Sequence, residues 1–267
     1  MAVIDTFRMT GSTAVVTGAA GGLGQAFAEA IAEAGGNVVL ADIDGDGVET
    51  AADEIAAETG AKTHPIEVDV TDEAAVEAMI NEVIDRFGRI DAAFANAGIA
   101  PPEKPLDEYH TEDWYRVIDI NLTGVWLTDL HAARAMAEQE GGGSIINTAS
   151  VYGLSGLDTL AYSPAYAASK GGVVNLTRTL GGEWGELGIR VNAIAPSHAR
   201  TGIGGGFFKA DTEGAKALQS AVESRTPLDR IPDPEELKGI ALFLASDASS
   251  YCTGYTYAAD GGWLASK

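Results

Sequence analysis

The chain has 267 residues, and its 17 Lys+Arg against 39 Asp+Glu give a formal net charge of −22. That length suits a single α/β domain with a sizeable core, and so acidic a surface repels nucleic-acid phosphates and anionic lipid, excluding both as expected partners. With one cysteine, Cys252, no apolar run of about eighteen residues and no secretory pattern, the expectation is a cytoplasmic protein without a disulfide or a membrane span.

The first predicted strand is Thr13–Thr17, and the turn Thr17-Gly18-Ala19-Ala20-Gly21-Gly22-Leu23-Gly24 leads into a helix over Gly22–Ala34. Glycines at a strand-to-helix junction let the backbone turn sharply and approach a pyrophosphate, whose charge meets the helix N-terminus. Gly18, Gly22, Leu23 and Gly24 are the candidates for that contact. The next strand, Asn37–Ala41, ends at Asp42 and Ile43. An acidic side chain roughly 20 residues past the glycine turn accepts hydrogen bonds from adenosine ribose hydroxyls and repels the extra phosphate of NADP. No lysine or arginine adjoins Asp42 in sequence, so NAD is the expected cofactor. A third strand over Lys62–Val68 is followed by Asp69 and Val70 and by a helix over Glu73–Phe87. The fourth, Asp91–Ala95, is followed by Asn96-Ala97-Gly98. Both strand ends are placed to touch the adenine and its ribose, and taken singly each also reads as an ordinary turn or helix cap.

A long helix is predicted over Glu112–Ala137, with Asn121 amid apolar neighbours, where its amide either holds a water against Lys170 or is a satisfied buried amide. Strand Ser144–Ala149 ends on Ser150, and Ser163-Pro164 reads as an N-cap and first-turn proline for a helix over Tyr166–Glu183. Tyr166 and Lys170 stand four apart, on one face of that helix. A tyrosine of pKa about 10 becomes a base near neutrality if stabilised by roughly 3–4 kcal/mol. One ammonium about 4 Å away supplies up to about 4 kcal/mol at an effective dielectric near 20, so Lys170 is expected to lower the phenol's pKa. Strand Ile189–Ala195 leads to Pro196, and the Gly-rich stretch Ser197–Pro227 lacks a clear strand, as a binding loop or lid does. The last strand is Tyr255–Ala259.

Nearly all-apolar strands separated by helices predict a doubly wound, Rossmann-type parallel sheet of about seven strands, with helices on both faces and one domain over residues 1–267. His64, His110, His131 and His198 show no ligand spacing, so no metal is expected. The first three read as surface residues. His198 lies at the mouth of the site and, with Ser150, Tyr152, Leu157 and Phe207, is a candidate for substrate contact.

Taken in order, Thr17–Gly24, Asp69, Asn96-Ala97-Gly98, Asn121, Ser150, Tyr166–Lys170, Pro196 with Thr201, and Asp260-Gly261-Gly262 resemble the motifs of the short-chain dehydrogenase/reductase family over essentially the whole chain. The resemblance implies a tetrad. Tyr166 would act as general acid/base, and Lys170 would lower its pKa and bind the nicotinamide ribose. Ser150 would stabilise the substrate oxygen, Asn121 would anchor a relay water, and Ala199 and Thr201 would hold the carboxamide. It also implies a homotetramer, less often a dimer. The chain departs from the family pattern at Ser197, where glycine is usual, at Ala95, where asparagine is usual, and in a longer Ser150-to-Tyr166 interval. Ser155 is a rival for the catalytic serine.

The expected activity is hydride transfer between NAD and a small secondary alcohol or its ketone, with a polyol, sugar or sugar acid as leading substrate. An apolar or aromatic alcohol is the alternative within enzymes. A non-catalytic NAD sensor is the alternative outside them, and it is opposed by the presence of both Tyr166 and Lys170. Few basic residues offset the acidic helix faces, which fits adaptation to high salt.

Overall fold

Among the described residues, which are 2–101, 104–156, 163–206 and 208–266 of the computed structural model, seven strands form one sheet. They are β1 (Thr13–Thr17), β2 (Asn37–Asp42), β3 (Thr63–Glu67), β4 (Ala92–Ala95), β5 (Gly143–Thr148), β6 (Ile189–Pro196) and β7 (Thr256–Ala259). Their order is β3-β2-β1-β4-β5-β6-β7, and every adjacent pair is parallel. Pro65 is accommodated in β3 because that strand lies at the sheet edge, where a missing N–H costs no central ladder bond.

The helices are α1 (Gly22–Glu33), α2 (Gly45–Thr59), α3 (Glu73–Phe87), α4 (Thr111–Ile118), α5 (Gly124–Glu138), α6 (Val151–Leu154), α7 (Pro164–Glu183), α8 (Glu213–Glu223) and α9 (Lys238–Ala245). Side chains alternate across a strand, so each strand feeds two cores. Ala14, Val16, Leu40, Phe94 and Ile146 pack with Phe27, Ile31, Val48 and Leu244 from α1, α2 and α9. Val15, Val39, Ala93 and Ile145 pack on the other face with Val76, Val83, Leu127 and Leu180 from α3, α5 and α7. Strands covered on both faces have no room for polar alternation, which is why they read as continuous apolar runs. The predicted doubly wound sheet in one domain is the observed fold.

Three expectations are corrected. The helix predicted over Glu112–Ala137 is interrupted by a π-helical turn over Asp119–Thr123, where the Asn121 side chain bonds across to Ile99 instead of following one helix face. The stretch Ser197–Pro227 contains an eleven-residue helix, α8, capped by the Thr212 hydroxyl, which accepts from the Ala215 N–H at 3.2 Å. Of the three histidines read as surface residues, His110 is exposed and His64 is half-buried, but His131 is buried within α5, its Nε2 3.5 Å from Glu73.

A polar cluster lies inside the second core. Asp129 of α5 is fully buried, and the Asn147 side chain of β5 donates to Asp129 Oδ2 at 3.0 Å and to Thr177 Oγ1 at 3.1 Å. Burial pushes the Asp129 carboxyl up to about 8, against the smaller pull of the Asn147 hydrogen bond. Asp129 Oδ1 and Asn147 Oδ1 are both buried and receive no hydrogen bond among the described residues.

Candidate active site

Strand order reverses between β1 and β4, and connections there leave on opposite faces, opening a crevice beyond the C-terminal strand ends. The crevice is a cleft of about 490 Å³. Its lining includes Gly18, Gly22, Leu23, Asp42, Ile43, Asp69, Val70, Asn96, Ala97 and Gly98 at one end. Ser150, Tyr152, Tyr166, Lys170, Pro196, His198, Ala199 and Thr201 line the rest. Gly24 and Asn121 stand behind this wall, and Leu157 and Phe207 lie outside the described residues.

The glycine turn is held by close packing. Gly18 has φ +68°, and a β-carbon there would stand 2.8 Å from the Ala97 Cα. One at Gly24 would stand 2.0 Å from the Gly18 carbonyl oxygen, so Gly24 lets α1 start tight against the turn and has a packing role. Asn96, expected at the adenosine, lines the cleft and bonds its side chain to the protein. Its Nδ2 donates to the carbonyls of Thr17 and Gly18 at 3.0 and 3.1 Å, and its Oδ1 accepts from the Thr148 hydroxyl at 3.0 Å.

Asp42 ends β2 inside the cleft, accepting from the Ala20 N–H at 3.0 Å and the Asp44 N–H at 3.1 Å. Each oxygen keeps a further lone pair for a ligand. The cap of α2 is Asp44, whose side chain accepts from the Gly47 N–H, which leaves Asp42 available to the cleft. Asp69 accepts from the N–H and hydroxyl of Thr71 at 2.9 and 2.7 Å.

At the other end, Ser150 caps α6, accepting from the Tyr152 N–H at 3.2 Å, and its hydroxyl is hydrogen-bonded to the Tyr166 phenol. Ser155 donates to the Val151 carbonyl at 3.1 Å and does not line the cleft, which removes it as a rival. Ser163 and Pro164 start α7 as the sequence predicts, the serine accepting from the Tyr166 N–H at 3.4 Å. Lys170 is buried, donates to the Thr148 carbonyl at 2.6 Å, and has its Nζ 5.9 Å from the Tyr166 ring centre. Asn121 is fixed at both ends by Ile99, Oδ1 accepting from the N–H and Nδ2 donating to the carbonyl, each at 2.8 Å. A β-carbon on Gly98 would lie 3.3 Å from Asn121 Oδ1 and 3.6 Å from Lys170 Nζ, which places the two groups over the same glycine.

Lys170 was expected to make Tyr166 acidic. In the chain alone, burial prevails and pushes the phenol up to about 12, against a smaller opposing effect of the Ser150 hydrogen bond. Burial also lowers Lys170 to about 8.

Residues the motifs did not mark complete the wall. Thr148 holds both Asn96 and Lys170. Tyr152 is hydrogen-bonded to His198 Nε2 at 3.0 Å, and the His198 ring meets Phe208 and Trp263 with centres 5.0 Å away in each case. Lys209 lines the cleft; it is one of two lysines in the stretch Ser197–Pro227 of a lysine-poor chain, and its place just after the Gly-Gly-Gly run was its available signal.

The residues fit a nicotinamide dinucleotide. The glycine turn offers a pyrophosphate seat, Asp42 a ribose acceptor, and Thr201 a buried Oγ1 with no partner among the described residues, where a carboxamide needs one. Fold and cleft together define a dinucleotide-dependent oxidoreductase of the Rossmann type.

The comparisons narrow this. Residues 18–264 match a family model described as Enoyl-(Acyl carrier protein) reductase. The chain is 42% identical over 255 residues, 94% of its length and 96% of the relative's, to the Cis-4-hydroxycyclohexanecarboxylate dehydrogenase of Sinomonas cyclohexanicum. It is similar to the crystal structure of a short-chain type dehydrogenase/reductase from Mycobacterium marinum, with TM-score 0.90 and 39% identity, covering 98% of this chain and 99% of that one. A gluconate 5-dehydrogenase from Burkholderia cenocepacia J2315, solved in complex with NADP and tartrate, gives TM-score 0.89 and 34% identity, with 99% of each chain covered. The chain belongs to the short-chain dehydrogenase/reductase family and is an oxidoreductase acting on secondary alcohols.

Proposed function

We propose an NAD-dependent dehydrogenase of small secondary alcohols, with Asn121, Ser150, Tyr166 and Lys170 as its catalytic group. The observation that supports the NAD preference is Asp42, which lines the cleft at the end of β2 and whose carboxylate would repel the extra phosphate of NADP. Among the described lining residues only Lys170 and Lys209 are cationic; one belongs to the Tyr166 end and the other to the glycine turn. The Burkholderia relative was solved with NADP, so family membership does not decide the cofactor. The test is the ratio of kcat/KM with NAD to that with NADP. Asp42→Ala should narrow a ratio that favours NAD, and a wild type preferring NADP, or an unchanged ratio in the variant, defeats the assignment.

When bound, the nicotinamide supplies the hydride acceptor or donor and, oxidised, a positive charge near the phenol. Ser150 and Tyr166 present two adjacent hydroxyls to the substrate oxygen. With its phenol up at about 12, Tyr166 holds its proton at neutral pH and is poised to give it to a developing alkoxide. Oxidation runs the same transfer backwards. Lys170, fixed by the Thr148 carbonyl, keeps its ammonium beside this pair, and Asn121 fixes the Ile99 segment over which Lys170 passes. Thr201 Oγ1 and the backbone near Ala199 would hold the carboxamide.

Residues 197–227 form the proposed substrate loop. The leading substrate class is a polyol, sugar or sugar acid, supported by the Tyr152 hydroxyl and His198 on the substrate side of the cleft. A second reading, an apolar or alicyclic alcohol, is supported by Ile99 and Ile203 in the lining and by Tyr152 packed edge-on against Tyr166, ring centres 6.3 Å apart. A substrate panel followed by NADH absorbance separates the two. Exposed Trp114, Tyr115 and Trp126 on α4 and α5 support a homotetrameric or dimeric assembly. Among the described residues no helix is long and apolar enough to cross a membrane; a cytoplasmic location remains part of the proposal.

A further inference from the structure

Lys209 stands in the segment before α8, exposed, with its N–H donating to the Gly206 carbonyl at 2.9 Å. It lines the main cleft and also a second cavity, at the start of α1, bounded by Gln25, Glu29 and Asp233. Among their described lining residues the two cavities share Gly22 and Lys209, so the lysine and one glycine of the turn both stand where the cavities meet. Basic residues around it are already matched. Arg200 lies 3.5 Å from Glu223 and 3.8 Å from Asp233, Lys216 is 2.6 Å from Asp211, and Lys238 is 2.6 Å from Glu29. Among the described residues Lys209 has no carboxylate within ion-pair distance, in a chain where acids outnumber bases 39 to 17.

We propose that Lys209 pairs with the pyrophosphate of the bound dinucleotide and thereby ties the 197–227 segment to cofactor binding. The inference rests on the reading of the cleft as a nicotinamide dinucleotide site. A pyrophosphate brings two negative charges into a cleft already lined by Asp42 and Asp69. The only other cation of the described lining, Lys170, is buried and engaged with Thr148. Without Lys209 the pyrophosphate would have backbone N–H groups and the dipole of α1 but no counter-charge. The lysine also adjoins Phe208, whose buried ring packs on His198. Holding Lys209 on the phosphates therefore holds Phe208 over the His198 side of the site, so cofactor occupancy and the shape of the substrate wall change together.

The experiment measures binding, not turnover. Dissociation constants for NADH are read by its fluorescence for the wild type, Lys209→Gln and Lys209→Arg, at low and high salt. Adenosine, which lacks phosphates, is compared by saturation-transfer NMR. The expected result is that Lys209→Gln weakens NADH binding about tenfold at low salt, that the gap closes toward 1 M salt, and that Lys209→Arg restores affinity. Adenosine binds all three alike. Equal NADH affinity in the wild type and Lys209→Gln overturns the proposal, as does an equal loss for adenosine, which would mark a damaged cleft. A wild type that binds no NADH would overturn the cofactor reading itself, an outcome distinct from both.

Discussion

Asp129→Asn examines a carboxyl group that the fold keeps in its acid form. Burial holds this carboxyl at about 8, whereas an unfolded aspartate titrates near 4. Between those limits the native chain retains a proton that the unfolded chain has lost. Unfolding therefore releases a proton, and rising pH favours it. The stabilisation is complete below about pH 4, erodes by about 1.4 kcal/mol per pH unit, and is gone once pH has passed through the native value. From pH 5 to pH 8 the loss comes to about 4 kcal/mol. The retained proton also gives a donor to a buried cluster in which Asp129 Oδ1 and Asn147 Oδ1 both lack one. An asparagine at 129 presents an amide hydrogen in that place and does not titrate. Thermal melts of both proteins at matched concentration and ionic strength, from pH 5 to pH 8, give the comparison. For a domain of this size each kcal/mol moves Tm by about 2–4 °C, so the variant should gain about 8–15 °C on the wild type across the range. A difference in Tm that stays flat with pH would show that Asp129 is ionised in the native state, and the reasoning would fail.

Tyr166→Phe removes the proton donor without emptying the aromatic packing against Tyr152; turnover should fall by at least about 10³-fold while NADH still binds, and retained turnover would take the proton role away from Tyr166. Thermal melts in rising KCl should show Tm increasing toward 1 M salt, because a net charge of −22 repels itself less when screened. A flat or falling series rejects salt adaptation. Light scattering at working concentration should give a mass near four chains; a monomer would leave Trp114, Tyr115 and Trp126 without the partner their exposure suggests.

The strands were legible because a parallel sheet covered on both faces leaves each of them almost wholly apolar, as the five buried residues of β1 illustrate. The glycine turn, Asp42 and the four-residue spacing of Tyr166 and Lys170 were legible for a similar reason: local geometry fixes what such residues present. The π turn at Asp119–Thr123 was not, since it alters the winding of a helical pattern without changing its composition. Helix α8 was hidden by its Gly-rich approach, and only Ala215 and Val222 within it are buried. The position of Asn96 in the cleft was legible, but not its bonds to Thr17, Gly18 and Thr148, because a strand-end amide finds partners that are distant in sequence. The burial of Tyr166 was not legible either. Sequence shows the ammonium four residues away but not the packing that surrounds the phenol, and the packing has the larger effect.

Asn96 and Thr148 have a bearing on how such an enzyme can be altered. The amide grips the glycine turn, the threonine hydroxyl grips the amide, and the threonine carbonyl grips Lys170, so three bonds join the glycine turn to the Tyr166 end of the cleft. Any change that shifts this chain is felt at both ends at once. Asp42, at the end of β2, lies outside these three bonds and touches the turn through the Ala20 N–H, so a change at Asp42 leaves the Asn96–Thr148–Lys170 path itself in place.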